Sequence, residues 1–166
     1  MIRIIAAGML LSLVSCARNG ASTQADRSSQ SATSAPAITL ERTACFGGCP
    51  VYTISVSPSG EVRFEGRANV RKLGAATGRV PRERVDALLS EMEQEGYFTF
   101  AERYTPPEPA CGRYATDSPS AITSVTLRGR SKRVTHDYGC GGAPGALVVL
   151  ERRIDEALNS SQWTGR

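Results

Sequence analysis

Apolar and polar residues alternate with period two over Tyr52, Ile54 and Val56, with Thr53 and Ser55 between them, which predicts a half-buried strand. Ser57-Pro58-Ser59-Gly60 supplies turn chemistry, and Val62 and Phe64 resume the alternation, so the two runs predict a hairpin. A third strand is expected over residues 68–73, and a short one over 38–42 ahead of the group. The period then changes. Val85, Leu88, Leu89 and Met92 fall at i, i+3, i+4 and i+7, the single apolar stripe of a surface helix. Pro81 suits its first turn and Gly96 its C-terminal cap, with Tyr97 and Phe98 folding back beyond it. Residues 105–119 hold four prolines and predict an ordered loop or long excursion. Residues 121–127 and 132–138 predict a second hairpin across Arg128-Gly129-Arg130-Ser131. A final helix from Pro144 places Leu147, Leu150, Ile154 and Leu158 on one face, with Trp163 packing back past its end as a lid. Strands, helix, hairpin and helix in that order predict an α+β fold, an antiparallel sheet with two helices packed on one face.

The beginning of the chain follows neither period. An apolar run from Ile4 to Val14 stands behind Arg3, far shorter than the roughly 20 residues that span a bilayer. It fits the apolar region of a signal peptide. A buried N-terminal strand, an uncleaved anchor and an ordinary signal cut elsewhere are the other readings. Leu13-Val14-Ser15-Cys16 resembles a bacterial lipobox. That resemblance implies export, cleavage before Cys16 and acylation of its thiol, with palmitate among the chains. Residues 1–15 are then a signal peptide. Residues 17–36 are dominated by Ser, Ala, Thr and Gln and hold no large apolar residue, so they cannot offset their ordering entropy. With Cys16 they form a flexible tether, 16–37, of about 25 Å root-mean-square span at ~5–6 Å × √n. The rest, 38–166, is a single domain. Ala17 and Arg18 follow Cys16 with no Asp, which by resemblance to Gram-negative lipoproteins points to the periplasmic face of the outer membrane. The membrane would be held through the lipid, since no second apolar run of spanning length follows.

Loss of Arg3 with the leader lowers the formal charge from +4 to +3. So mild an excess is not the footprint of a nucleic-acid binder. Setting Cys16 aside leaves Cys45, Cys49, Cys111 and Cys140, an even set that in an exported chain reads as two disulfides. Three connectivities are open. Gly47-Gly48 favours a tight 45–49 ring, and a 111–140 bridge would pin the proline-rich loop to the sheet. Two other uses compete. Cys45 and Cys49 could exchange thiols, although their spacing is not Cys-x-x-Cys and they precede a strand rather than a helix. Cys45, Cys49, His136 and Cys140 also form a loose Cys-x₃-Cys plus His-x₃-Cys set for zinc. Oxidation is the stronger expectation in an exported chain, so neither metal nor cofactor is predicted.

His136 is the lone histidine, and Asp137 beside it would point to the opposite sheet face, badly placed to orient it. No Gly-x-Ser-x-Gly elbow occurs. His136 is therefore expected as a surface or half-buried strand residue, and an enzyme is the less favoured reading. Gly139-Cys140-Gly141-Gly142-Ala143-Pro144 joins a strand to a helix where a phosphate could lie, but lacks P-loop spacing, so a plain connection explains it. Arg128, Arg130, Lys132 and Arg133 cluster at a hairpin tip as a solvated turn, with anionic lipid or cell-wall groups as an alternative contact. Phe46, Tyr52, Tyr104, Tyr114, Asp117 and His136 are the candidate binding surface, on or beside the 45–52 and 105–119 loops.

Ala44-Cys45-Phe46-Gly47-Gly48-Cys49-Pro50-Val51-Tyr52 resembles the opening motif of a bacterial family, domain of unknown function family 6438. The similarity continues through Ser59-Gly60-Glu61-Val62, Glu65-Gly66, Thr116-Asp117-Ser118-Pro119, the strand from Lys132 to His136, Ala143-Pro144 and Trp163. The resemblance implies one small α+β domain, common on exported or lipid-anchored proteins, and transfers no catalytic residue. A non-catalytic envelope module is the resulting expectation, with another envelope protein or a cell-wall component as partner and no nucleic acid. Thiol redox or metal binding through Cys45 and Cys49 is the alternative.

Overall fold

The computed structural model describes residues 35–166. The predicted signal peptide, Cys16 and nearly all of the tether lie outside the described residues. The elements run β1 Ile38–Arg42, β2 Val51–Val56, β3 Glu61–Ala68, β4 Gly74–Arg79, α1 Arg82–Gln94, β5 Arg103–Tyr104, β6 Ser120–Leu127, β7 Arg130–Asp137, α2 Gly145–Ala157 and α3 Ser161–Thr164. The seven strands form one sheet in the order β4-β3-β2-β1-β6-β7-β5, antiparallel throughout except that β5 runs parallel to β7. The fold is α+β, as the pattern of hairpins and helices predicts. Among the described residues no helix is long and apolar enough to cross a membrane.

Period-two burial sets one face of the sheet inward. Ile38 and Leu40 of β1, Ile54 and Val56 of β2, Val62 and Phe64 of β3, Ala121 and Val125 of β6 and Val134 of β7 all join one core. The α1 stripe of Val85, Leu88, Leu89 and Met92 and the α2 stripe of Leu147, Leu150 and Ile154 bury into the same core. Removing such side chains from water stabilises by about 1.5–3 kcal/mol each. Short β1 takes the middle of the sheet, with Leu40 opposite Ile54 on one side and Thr123 on the other. Gly96 ends α1 in the left-handed conformation, and Tyr97 turns back into the core to meet Thr123 Oγ1 at 2.7 Å. Trp163 closes the far edge by stacking on Phe64, which in turn stacks on Tyr52.

Three elements differ from expectation. Residues 69–73 are a bend, not a strand, and the next strand is Gly74–Arg79. Asn69 adopts φ 54°, and the N–H groups of Arg71 and Lys72 donate to the carbonyls of Thr164 and Trp163 rather than to a neighbouring strand. The Gly-Ala-Ala-Thr-Gly-Arg sequence of β4 has no apolar alternation to announce it. Backbone pairing with β3 holds it, and Gly78 leaves room for the indole of Trp163, which a Cβ there would approach to 3.0 Å. The second hairpin turns in two residues, Arg128 and Gly129, both with positive φ, so β7 starts earlier than predicted. Two-residue β5, paired with Thr135 and His136, was not predicted at all.

The connections segregate. Turns 57–60 and 128–129 and the entry at Ala37 lie at one end of the sheet. The 43–50, 69–73, 105–119 and 138–144 segments gather at the other.

Candidate binding site at the loop end of the sheet

Arg42 is the last residue of β1, directly opposite Tyr52 on β2. Tyr138 lies one residue past β7. Facing them, α2 contributes Glu151 and Asp155, which continue at i+4 intervals from Leu147 along its buried stripe. Arg42 Nη2 donates to Asp155 Oδ2 at 2.9 Å and to the Glu151 carbonyl at 3.1 Å, and Nη1 donates to the Tyr138 hydroxyl at 2.5 Å. The Tyr52 hydroxyl donates to Asp155 Oδ1 at 2.5 Å. The Tyr138 hydroxyl donates to Glu151 Oε2 at 2.7 Å, and His136 Nδ1–H donates to Oε1 of the same carboxylate at 3.0 Å. A continuous hydrogen-bonded chain thus runs from His136 in the core to Tyr52 at the loop end. Glu151 is 0% exposed, so its two donors supply the pairing that a buried carboxylate requires.

Burial, aided by Asp155, pushes the Tyr52 phenol well above its ordinary pKa. Burial also raises Tyr138, to about 12, with Glu151 adding to the rise and Arg42 opposing it. For Arg42, burial works against the charge, but Asp155 and the two phenols outweigh it and hold the guanidinium above its usual range. At neutral pH the phenols therefore act as donors, and their rings are fixed at both ends.

Arg42, Tyr52, Tyr138 and Asp155 of this network line a cavity of about 370 Å³. Thr43 and Pro119 line it where β1 meets β6, Cys49 and Pro50 where β2 begins, and Ser160, Thr164 and Arg166 beyond α2. Ser160 is only 6% exposed, and among the described residues its hydroxyl has no hydrogen-bond partner. The rim is tied down locally. Arg166 Nη2 donates to the Gly48 carbonyl at 2.6 Å, Asn69 Nδ2 to the Cys49 carbonyl at 3.0 Å, and the Phe46 N–H to the Asp117 carbonyl at 3.1 Å.

Cysteine pairs stand at disulfide distance on both sides of this end: Cys45 with Cys49 and Cys111 with Cys140. Cys111 and Cys140 are buried, and the backbone beside them is packed too closely for side chains. A Cβ on Gly139 would lie 1.9 Å from the Ala115 carbonyl oxygen, and one on Gly142 2.4 Å from that of Ala110. The glycine-rich connection is therefore taken up by the 105–119 loop, which it meets through backbone bonds between Ala115 and Gly139, Arg113 and Gly141, and Cys111 and Gly142.

The six candidate surface residues divide. Phe46, at 90% exposure, Tyr114 and Asp117 lie outside, with the Tyr114 hydroxyl 3.4 Å from Asp137. Tyr52, Tyr104 and His136 are buried, because each occupies an inward position of its strand, and only Tyr52 lines the cavity. His136, 2% exposed, is neither a surface nor a half-buried residue. Its orienting carboxylate is Glu151 rather than its neighbour Asp137. The loose zinc set does not assemble: Cys45 stands at disulfide distance from Cys49, Cys140 from Cys111, which is outside the set, and His136 faces Glu151. At the hairpin tip, Arg128 and Arg130 each meet Glu93 of α1 at 2.8 Å, and Arg130 lies over the Phe98 ring. Arg42, Glu151, Asp155 and Ser160 were not singled out from sequence. Two acids inside the apolar α2 stripe were the available signal.

A small α+β domain with a seven-stranded sheet and a cavity at its loop end defines the class. Residues 36–158 match the model of a family described as Domain of unknown function (DUF6438), and the chain belongs to that family. No curated protein matches it.

Proposed function

We propose that the protein is a lipid-anchored module of the cell envelope that binds another envelope component without catalysis, at the loop end of its sheet. The cavity of about 370 Å³ carries this reading. Its lining includes part of a network whose groups are matched to one another, and the Ser160 hydroxyl remains for a ligand. Pockets with fixed walls and a few placed polar groups are the usual form of a binding site. Cys49, Pro50, Tyr52 and Pro119, all within the segments that resemble the family, line it. The cysteine pairs suit an oxidising compartment. Ala37 lies at the end of the sheet opposite the cavity, and the partner is a component of the periplasmic face of the outer membrane.

Two measurements test the proposal. Metabolic labelling with palmitate should mark the wild type and not Cys16→Ser, which should leave the membrane fraction; equal labelling of both sinks the anchor. Solubilised envelope material should retain the wild type and lose Ser160→Phe, which fills the cavity, and Phe46→Ser, which strips its neighbouring loop. Retention unaffected by either substitution sinks the site. Thiol counting on protein purified without reductant addresses the redox alternative, which predicts that Cys45 and Cys49 cycle at a mild potential.

A further inference from the structure

We infer that β4 is a docking edge for an extended acidic segment of another protein, which adds as a further antiparallel or parallel strand. This surface is distinct from the cavity. Among the described residues β4 is the outermost strand, paired with β3 over six residue pairs without a register shift and with no strand on its other side. Alternate N–H and C=O groups along that side face outward, the form of edge that accepts a strand. At the opposite edge β5 covers Thr135 and His136 of β7 and leads at once into the Pro106-Pro107 segment, which blocks its extension as a strand. β4 has neither protection. It is six residues long, contains no proline, and its Gly, Ala and Thr side chains leave the backbone open.

Charge selects the occupant. Arg71 and Lys72 precede the strand and Arg79 ends it, and the sequence from 69 to 80 has no acidic residue. Among the described residues these three cations make no ion pair; Arg79 donates to the Ser59 carbonyl and stands opposite Glu61, whose carboxylate is taken by Arg63. A second copy fits poorly. Antiparallel self-pairing sets Arg79 across from Gly74, two residues from Lys72, and in-register parallel pairing sets Arg79 beside Arg79. Like charges opposed across a ladder destabilise it. A segment with small or β-branched residues and an acid at each end reverses both contacts, and Leu73, 62% exposed, offers it an apolar contact at one end.

The probe is an acetylated, amidated heptapeptide of alternating valine and threonine with glutamate at both ends, beside its twin with lysine at both ends. Backbone amide shifts of the full domain are followed at low salt. The glutamate peptide should move the amides of residues 74–79 and bind at least about tenfold more tightly than the lysine peptide, and the double substitution Lys72→Glu with Arg79→Glu should reverse that preference. Unmoved 74–79 amides, equal binding of the two peptides, or shifts confined to the cavity residues would overturn the inference. Because the wild type alone discriminates the peptides, misfolding of the double variant would not rescue it. Failure here leaves the cavity reading standing, since β4 and the cavity lining share no residue.

Discussion

At one end of the sheet the chain reverses through the turns 57–60 and 128–129; at the other it passes through 43–50, 69–73, 105–119 and 138–144. The turns are local devices. Gly60 and Gly129 hold positive φ, and the 57–60 turn closes through a Gly60 N–H to Ser57 carbonyl bond. The loops are joined by groups distant in sequence, such as Arg42 with Asp155, 113 positions apart, and Cys111 with Cys140, 29 apart. One end finishes strands; the other builds a cavity. Long-range pairing costs more ordering entropy than a turn, and it is spent where a shape must be held.

Breaking the loop end should therefore cost more than breaking the turn end. Glu151→Ala leaves the His136 and Tyr138 donors without an acceptor in the core, and should destabilise by roughly 4 kcal/mol in urea denaturation. A loss under about 1 kcal/mol would mean that the network is not a structural member. Replacing Cys111 and Cys140 together by Ala should cost about 3–4 kcal/mol, and Cys45 with Cys49 about 2, because the closed loops differ in length. Equal costs would contradict that ranking.

Alkaline titration separates the buried phenols from the rest. Tyr97, raised to about 12 chiefly by burial, and Tyr138, also about 12, have folded-state values above the ordinary 10.0. Their stabilisation is full below pH 10, where the unfolded phenols also keep their protons, and is lost as pH rises toward 12. Above pH 10 the unfolding free energy should fall by up to about 1.4 kcal/mol per pH unit for each. Ultraviolet difference absorbance should show these phenols ionising only near unfolding; ionisation near pH 10 with the fold intact would contradict their burial. The smallest effect belongs to the turn end. Gly129→Ala meets no neighbour and bears only its left-handed φ, so about 1 kcal/mol is expected, with binding of envelope material unchanged. Loss of that binding would move the site to the turns.

The same contrast decided what was legible in the sequence. The 51–64 hairpin, the helix around Leu88 and the return of Trp163 follow from local period and turn chemistry, and the favoured cysteine pairs are those the structure brings together. β4 was missed because Gly-Ala-Ala-Thr-Gly-Arg buries no large side chain, and β5 because two residues carry no period. The site was half legible. Tyr52 stood in a recognisable motif and in phase with Ile54 and Val56, but no local pattern reports that its hydroxyl meets Asp155 of α2. His136 looked unpartnered beside Asp137 for the same reason, since Glu151 reaches it from another element. An acid at Glu151 within Leu147, Leu150 and Ile154 was a local clue to a buried partner, without indicating which one.

Amide shift mapping of the domain titrated with solubilised envelope material compares the two ends in one measurement. Shifts should gather at Thr43, Tyr52, Tyr138, Ser160 and Thr164, around the cavity, and disappear in Ser160→Phe. Shifts confined to 57–60 and 128–131, or identical in the filled variant, would contradict the assignment of binding to the loop end.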